Sequence, residues 1–322
     1  AGFAASALRQ ASGGGGGGWE VLELEPSLLR SGPGFVVVSK PSGLSPLQGR
    51  RHPCSEATLE SWLQAIGGPE AQVGICQAAG QLGRDTSGAT FGALSRAVAA
   101  ESTTLWRQRR IAEAYTALVR GHLPLRDTIR CHARLCKPSE GSWAWRLAGT
   151  RREGREACTL ARGLRHGIYG GESCTLAELR PLTGLPQQLR LHCVAMGHPI
   201  IGDVLHASDR RLDWRFQVPL EAPRLMLHCR QLRVPLAAGT VAAVAPDPLG
   251  ALLLSSDDDE AAERDEELFS QEIIFGDQAA RDLERSHDAA TVREAFGHVI
   301  DDCHWDANAP HPRVRAVWGP PF

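Results

Sequence analysis

A chain of 322 residues, 43% hydrophobic and 22% charged, is long enough to bury one large core or two ordinary ones, which sets aside a wholly disordered polymer. No apolar run approaches the roughly 20 residues that cross a bilayer as a helix, so no membrane span is expected. The net charge of −2 conceals an asymmetry: residues 251–322 carry 6 Lys and Arg against 17 Asp and Glu, leaving 29 against 20 in residues 1–250. A basic body is compatible with a polyanionic partner, although ordinary proteins share that balance. The nine cysteines are odd in number, scattered and without a Cys-x-x-Cys pair. They fit reduced thiols in an intracellular reducing compartment, cytoplasm or organelle, better than a disulfide framework.

Residues 1–32 read as a disordered N-terminal segment. The chain starts without Met and has no acidic residue before Glu20, and the glycine run Gly13–Gly18 reads as a flexible linker. Phe35-Val36-Val37-Val38 has the pattern of a buried strand, which the loop Lys40-Pro41-Ser42-Gly43 ends. Ala57 to Leu63 has helical spacing, with Ser55 as the expected N-cap. The stretch Gly80-Gln81-Leu82-Gly83-Arg84-Asp85-Thr86-Ser87-Gly88 is polar and runs straight into apolar residues, as does a loop at a sheet edge.

Ser95 to Arg110 reads as a helix with Val98, Leu105 and Ile111 toward the core. It ends in the basic cluster Arg107, Arg109 and Arg110, which suits either a solvated face or phosphate contact. Tyr115 to Val119 alternates as a strand. From Thr128 to Leu176 the chain reads as short strands with Gly-rich turns, and Leu189 to Ala195 as a helix. Residues 241–322 read as an acidic, partly disordered tail with a helix expected between Gln278 and His298.

Four segments carry a resemblance when taken in order. They are Gly80 to Gly88, Tyr115 to Gly121, Thr183 to His192 (Thr-Gly-Leu-Pro-Gln-Gln-Leu-Arg-Leu-His), and Gly197-His198-Pro199-Ile200-Ile201-Gly202-Asp203. Together they resemble the RluA branch of the RNA pseudouridine synthases, whose motifs are H-R-L-D-x-x-T-S-G, Y-x-A-x-V-x-G, T-G-R-T-H-Q-(I/L)-R-V-H and G-x-P-I-x-G-D. The resemblance covers roughly Gly34 to Pro235. It implies an α+β domain over 33–240, with a mixed, mainly antiparallel sheet, flanking helices and a central cleft.

The implied reaction breaks the C1′–N1 bond of uridine and rejoins the base through C5. It uses a carboxylate, a phenol and a cation that keeps the carboxylate ionised, with no metal or other cofactor. Tyr115 takes the phenol's position and Arg190 that of the carboxylate's partner. Gly83 occupies the position of the catalytic aspartate and has no side chain.

Asp85 is a weak stand-in. In an extended stretch its carboxylate lies about 6–7 Å beyond position 83, too far for chemistry that tolerates roughly 1 Å. Arg84, Arg107, Arg109, Arg110 and Gln188 are the candidate contacts to RNA, the expected partner, whether rRNA or tRNA. Gly80, Gln81, Leu185, Pro186 and Gln187 also depart from the family's motifs. Three readings follow: a pseudouridine synthase by descent with activity reduced or lost, a non-catalytic RNA-binding scaffold, and a degenerate product with neither property. Cys131, His132 and Cys136 match no common zinc spacing.

Overall fold

The computed structural model describes residues 5–10, 19–46, 58–67, 82–125, 127–137, 139, 143–150, 152–206, 220–254 and 299–304. In chain order the first elements are β1 (Ala5–Gln10), β2 (Trp19–Leu24), β3 (Ser27–Gly32), β4 (Phe35–Lys40), α1 (Leu59–Gly67), β5 (Ser87–Ala93), α2 (Arg96–Arg107) and β6 (Ala112–Arg120). There follow β7 (Thr128–His132), β8 (Leu135–Cys136), β9 (Arg146–Leu147), β10 (Cys158–Tyr169), β11 (Glu172–Pro181), α3 (Gln188–Ala195), β12 (Leu227–Leu236), β13 (Gly239–Val244) and β14 (Val299–His304). The chain divides into two compact units. The first takes Ala1–Tyr115 and Ala222–Asp247, the second Thr116–Glu221 and Pro248–Phe322, so β6 passes from one into the other.

In the first unit β3, β4 and β5 pair antiparallel, with Phe35 opposite Ala93 and Lys40 opposite Gly88. Val36 to Val38 are buried on both faces of β4, as an unbroken apolar run requires. Phe35 stacks on Phe91 at 5.8 Å. Val36, Val38 and Leu44 pack with Leu59 and Leu63 of α1. That helix starts at Leu59, capped by Thr58: Ser61 N donates to Thr58 Oγ1 and Thr58 N to Ser61 Oγ, a reciprocal box. Ser55, the expected cap, lies outside the described residues. Ser95 caps α2 by accepting from Val98 N. The buried side of α2 is Ser102 and Leu105, while Val98 and Ile111 are only half-buried.

The second unit is built on a long antiparallel hairpin, β10–β11, with β7 antiparallel to β10 and β14 parallel to β7. Its turn, Gly170-Gly171, has φ of 56° and 80°, the positive pair that a tight hairpin needs. β8 and β9 form a separate short pair. The core holds Leu118, Leu179, Leu191, Met196 and Ile200, all essentially inaccessible.

The α+β class with mainly antiparallel pairing is as the resemblance implies, but several boundaries differ. Pairing with β4 begins at Ser27, before position 33, and β13 carries the sheet past 240. An edge strand like β3, with Leu28 exposed, leaves little hydrophobic signal. β10 and β11 are longer than the short strands expected, because Gly163 and Gly167 are not turns. A Cβ on Gly163 would lie 2.7 Å from Leu123 O, and one on Gly167 would lie 2.5 Å from Leu253 Cγ. Those glycines let a neighbouring segment approach a continuous strand. The glycine run and the helix expected at 278–298 lie outside the described residues.

One contact sets the registry of the first unit. β5 meets β12 in parallel, with Ser87 opposite His228 and Gly88 opposite Cys229. Gly88 has φ +112°, and a Cβ there would sit 2.2 Å from Cys229 O. The Gly88→Ala variant is expected to lose more than about 2 kcal/mol of unfolding free energy, combining a disfavoured φ with a backbone clash. Denaturant unfolding measures it, and a loss under about 0.5 kcal/mol would contradict this packing.

Candidate functional site

The loop from Gly83 to Ser87 is held from both sides within the first unit. Thr86 N donates to Gly83 O at 3.2 Å, closing a turn whose central residues are Arg84 and Asp85. Asp85 therefore does not follow Gly83 in an extended stretch, as the sequence reading expected; aspartate at a turn position is favoured by its local hydrogen bonding. Gly83, Arg84 and Asp85 are exposed.

The Lys40-Pro41-Ser42-Gly43 loop clasps this turn. Lys40 is fully buried, and its Nζ donates to Pro41 O, Leu44 O and Arg84 O, each at 2.9 Å. All three ammonium protons are thereby used. Burial pushes the Lys40 pKa down to about 7, against the pull of the Asp85 carboxylate. Ser42 Oγ donates to Asp85 O at 2.6 Å, Gly43 N to Arg84 O at 2.9 Å, and Arg84 Nε to Gly43 O at 3.0 Å.

Where the loop enters β5, the buried Ser87 hydroxyl lies 2.8 Å from His228 Nδ1 and accepts from Arg224 at 2.7 Å. With Arg224 as donor, the hydroxyl proton points to Nδ1 of a neutral His228. Burial and the nearby Arg224 push that histidine's pKa down to about 3. Among the described residues an added Cβ at position 83 would meet only Thr86 Oγ1, at 3.9 Å.

Tyr115 is buried on β6. Glu113, two residues earlier and so on the same face of the strand, hydrogen-bonds its phenol, as does Cys229 of β12. Burial raises the Tyr115 pKa well above its ordinary value, and the neighbouring Glu113 and Cys229 raise it further. Burial likewise lifts Glu113 to about 7, opposed by the Tyr115 hydrogen bond and by Arg109. Sequence reasoning missed Glu113, although its i, i+2 relation to Tyr115 was a usable signal.

Of the basic cluster, Arg107 is exposed, and Arg109 takes a left-handed φ of 56° and lies 5.9 Å over the Trp106 ring. Arg110 is half-buried, and its Nε has no hydrogen-bond partner among the described residues.

In the second unit Arg190, on α3, makes a two-pronged ion pair with Asp203, whose carboxylate is 1% exposed. Asp203 Oδ1 also accepts from Leu205 N and His206 N, both at 3.1 Å. Asp203 closes the last of the four motifs, and the sequence reading did not assign it to Arg190.

Gln188, expected to contact RNA, is turned inward. It is buried, and its amide is spent inside: Nε2 donates to Cys158 O and Thr159 Oγ1, and Oε1 accepts from Thr183 Oγ1 and Leu185 N. It ties α3 to β10. Just before it, Gln187 adopts φ 60° and accepts from Trp145 N. Cys131 and His132 face separate partners, His192 O and Cys158 Sγ. Among the described residues no group of three or more His, Cys, Asp or Glu is placed to hold a metal ion, and no helix is long and apolar enough to cross a membrane.

The turn clasped by the buried Lys40 leads into β5, and β12 separates that strand from the Tyr115-bearing β6. The profile of the RNA pseudouridylate synthase family matches residues 34–195, half of the chain, and the chain is a member of that family. It is 37% identical over 172 residues to mouse "RNA pseudouridylate synthase domain-containing protein 1", covering 52% of this chain and 54% of that protein. It is 33% identical over 198 residues to the "Dual-specificity RNA pseudouridine synthase RluA" of Pasteurella multocida, covering 62% and 81% respectively. The solved structure of "Human RNA Pseudouridylate Synthase Domain Containing 1" superposes with a TM-score of 0.58 at 27% identity, covering 75% of this chain and 95% of that one. The match spans about half the length of the mouse relative.

Two measurements check these contacts. Asp203→Ala removes one member of a buried ion pair and is expected to cost about 3–5 kcal/mol in denaturant unfolding. Glu113 binds its proton more tightly in the folded chain, so its contribution to stability is complete below pH 4.5 and is lost as pH rises to 7. Glu113→Gln mimics the protonated form at every pH. It is expected to be more stable than the parent at pH 8 and equal to it near pH 4.5; the same difference at both would contradict a raised Glu113.

Proposed function

We propose that this chain is an RNA-binding member of the pseudouridine synthase family in which isomerisation of uridine is absent or strongly reduced. What carries the reading is Gly83: an exposed turn position with open space around it, in a loop otherwise clasped by Lys40, Ser42 and Arg84, stands where the family has its catalytic aspartate. Breaking the C1′–N1 bond needs an ionised carboxylate at the sugar, and losing such a group from a catalytic set costs several powers of ten in rate. RNA is the expected partner, held by cations that follow the backbone, and the target uridine has to leave its stack to be reached.

A second reading is favoured by one observation. The Glu113 carboxyl, bonded to the Tyr115 phenol and lifted to about 7, is poised to exchange a proton near neutral pH. In that reading the chain keeps a residual acid–base activity that does not pass through position 83.

Mass-spectrometric detection of pseudouridine after incubation with uridine-containing RNA separates the two. The parent chain is expected to form none, and Gly83→Asp to form it, with unfolding free energy within about 0.5 kcal/mol of the parent at so exposed a site. Turnover by the parent that disappears in Glu113→Gln would reject the silent reading in favour of the second.

A further inference from the structure

We infer that the groove between α2 and the turn joining β12 to β13 is a subsite for one nucleotide of single-stranded RNA, with the Arg110 guanidinium on its phosphate. This rests on the RNA-binding reading above and adds a place on the molecule that the catalytic motifs do not include. The groove is open to solvent along one side, with a volume of about 610 Å³. Thr104, Leu105, Gln108 and Arg110 line it from one side, Pro235 and Leu236 from the other.

Arg110 is not alone in having a buried Nε without an acceptor, since Arg130 and Arg224 share it, but of these it is the one that lines the groove. Arg120, Arg162, Arg190 and Arg230 each hold a carboxylate. No described carboxylate pairs with Arg110, and its Nε is shut away from water without an acceptor. A donor in that condition favours any acceptor that enters, and the planar fork of a guanidinium matches phosphate. Glu101, also at the groove, accepts one hydrogen bond from Ala237 N.

The surroundings favour a strand with free bases. Pro235, with the edges of the buried Leu105 and Leu236, offers apolar surface to a base face, which only an unstacked base can present. On the adjoining turn the exposed Arg107 and the Arg109–Trp106 cation–π pair supply the mix of cation and ring used for single strands. Basic residues at a helix C-terminus also offset the helix dipole. That accounts for Arg107 in the last turn of α2, but not for the orphaned donor of Arg110 beyond it.

The test is fluorescence anisotropy with a labelled short oligouridine and, separately, an RNA duplex of equal length. Arg110→Ala is expected to weaken oligouridine binding about tenfold and to lower the salt-dependence slope by about 0.7, one single-strand phosphate contact. Ala100→Trp, placed on an exposed groove position, is expected to weaken it by filling the space. A 4-thiouridine oligonucleotide photo-crosslinked to the unmodified chain is expected to mark α2 or residues 235–237. Unchanged binding by both variants, or crosslinks only elsewhere, overturns the subsite and leaves the RNA reading standing. Tighter binding of the duplex than of oligouridine overturns the single-strand preference on which the subsite depends. No RNA binding by the parent chain overturns both.

Discussion

The first unit depends on a side chain that is missing. Gly88, at φ +112°, lets the backbone of β5 come against Cys229 at a distance no Cβ permits. The parallel pairing that results brings together segments about 140 residues apart, and it places the Ser87 hydroxyl between His228 and Arg224. The turn at 83–86 hangs from that anchor. Its other end is tied by Lys40, whose three donors reach carbonyls of two different loops. An ammonium buried without such partners would carry a large desolvation cost; with them, the cost is offset and two loops share one position.

The 83–86 turn keeps its shape through contacts to its backbone. None of the contacts that hold the loop uses the side chain at position 83. Lys40 and Gly43 grip the Arg84 carbonyl, Ser42 grips that of Asp85, and Thr86 closes the turn onto the Gly83 carbonyl. The loop is fixed through its backbone, so its conformation is insensitive to what it presents. Arg190, in the second unit, has its carboxylate partner in Asp203.

The four motifs lay open in the sequence because each joins a turn residue to residues of fixed chemistry at fixed spacing. Tyr115 and Arg190 could be named for that reason, and so could the gap at Gly83. Gln188 misled, because a glutamine in a polar motif looks solvent-facing until its amide is seen bonded to Cys158, Thr159, Thr183 and Leu185. Glu113 and Asp203 were passed over because a carboxylate's partner is set by which strand or turn lies beside it. The edge strand β3 and the long β10–β11 hairpin were missed for a related reason: an exposed edge has no strong apolar pattern, and a glycine that admits a neighbouring chain spells the same as one that makes a turn.

By itself, the order of residues determined the class of domain, the run of buried strands and the glycine at position 83. Those are local properties, carried by spacing, turn chemistry and apolar periodicity. Only the tertiary structure decided which groups share a proton or a charge: Glu113 with Tyr115, Arg190 with Asp203, Ser87 with His228, and Arg110 with nothing among the described residues. Burial and pairing between distant segments govern those relations, because desolvation and hydrogen bonding act over a few ångströms in space however far apart the residues lie along the chain.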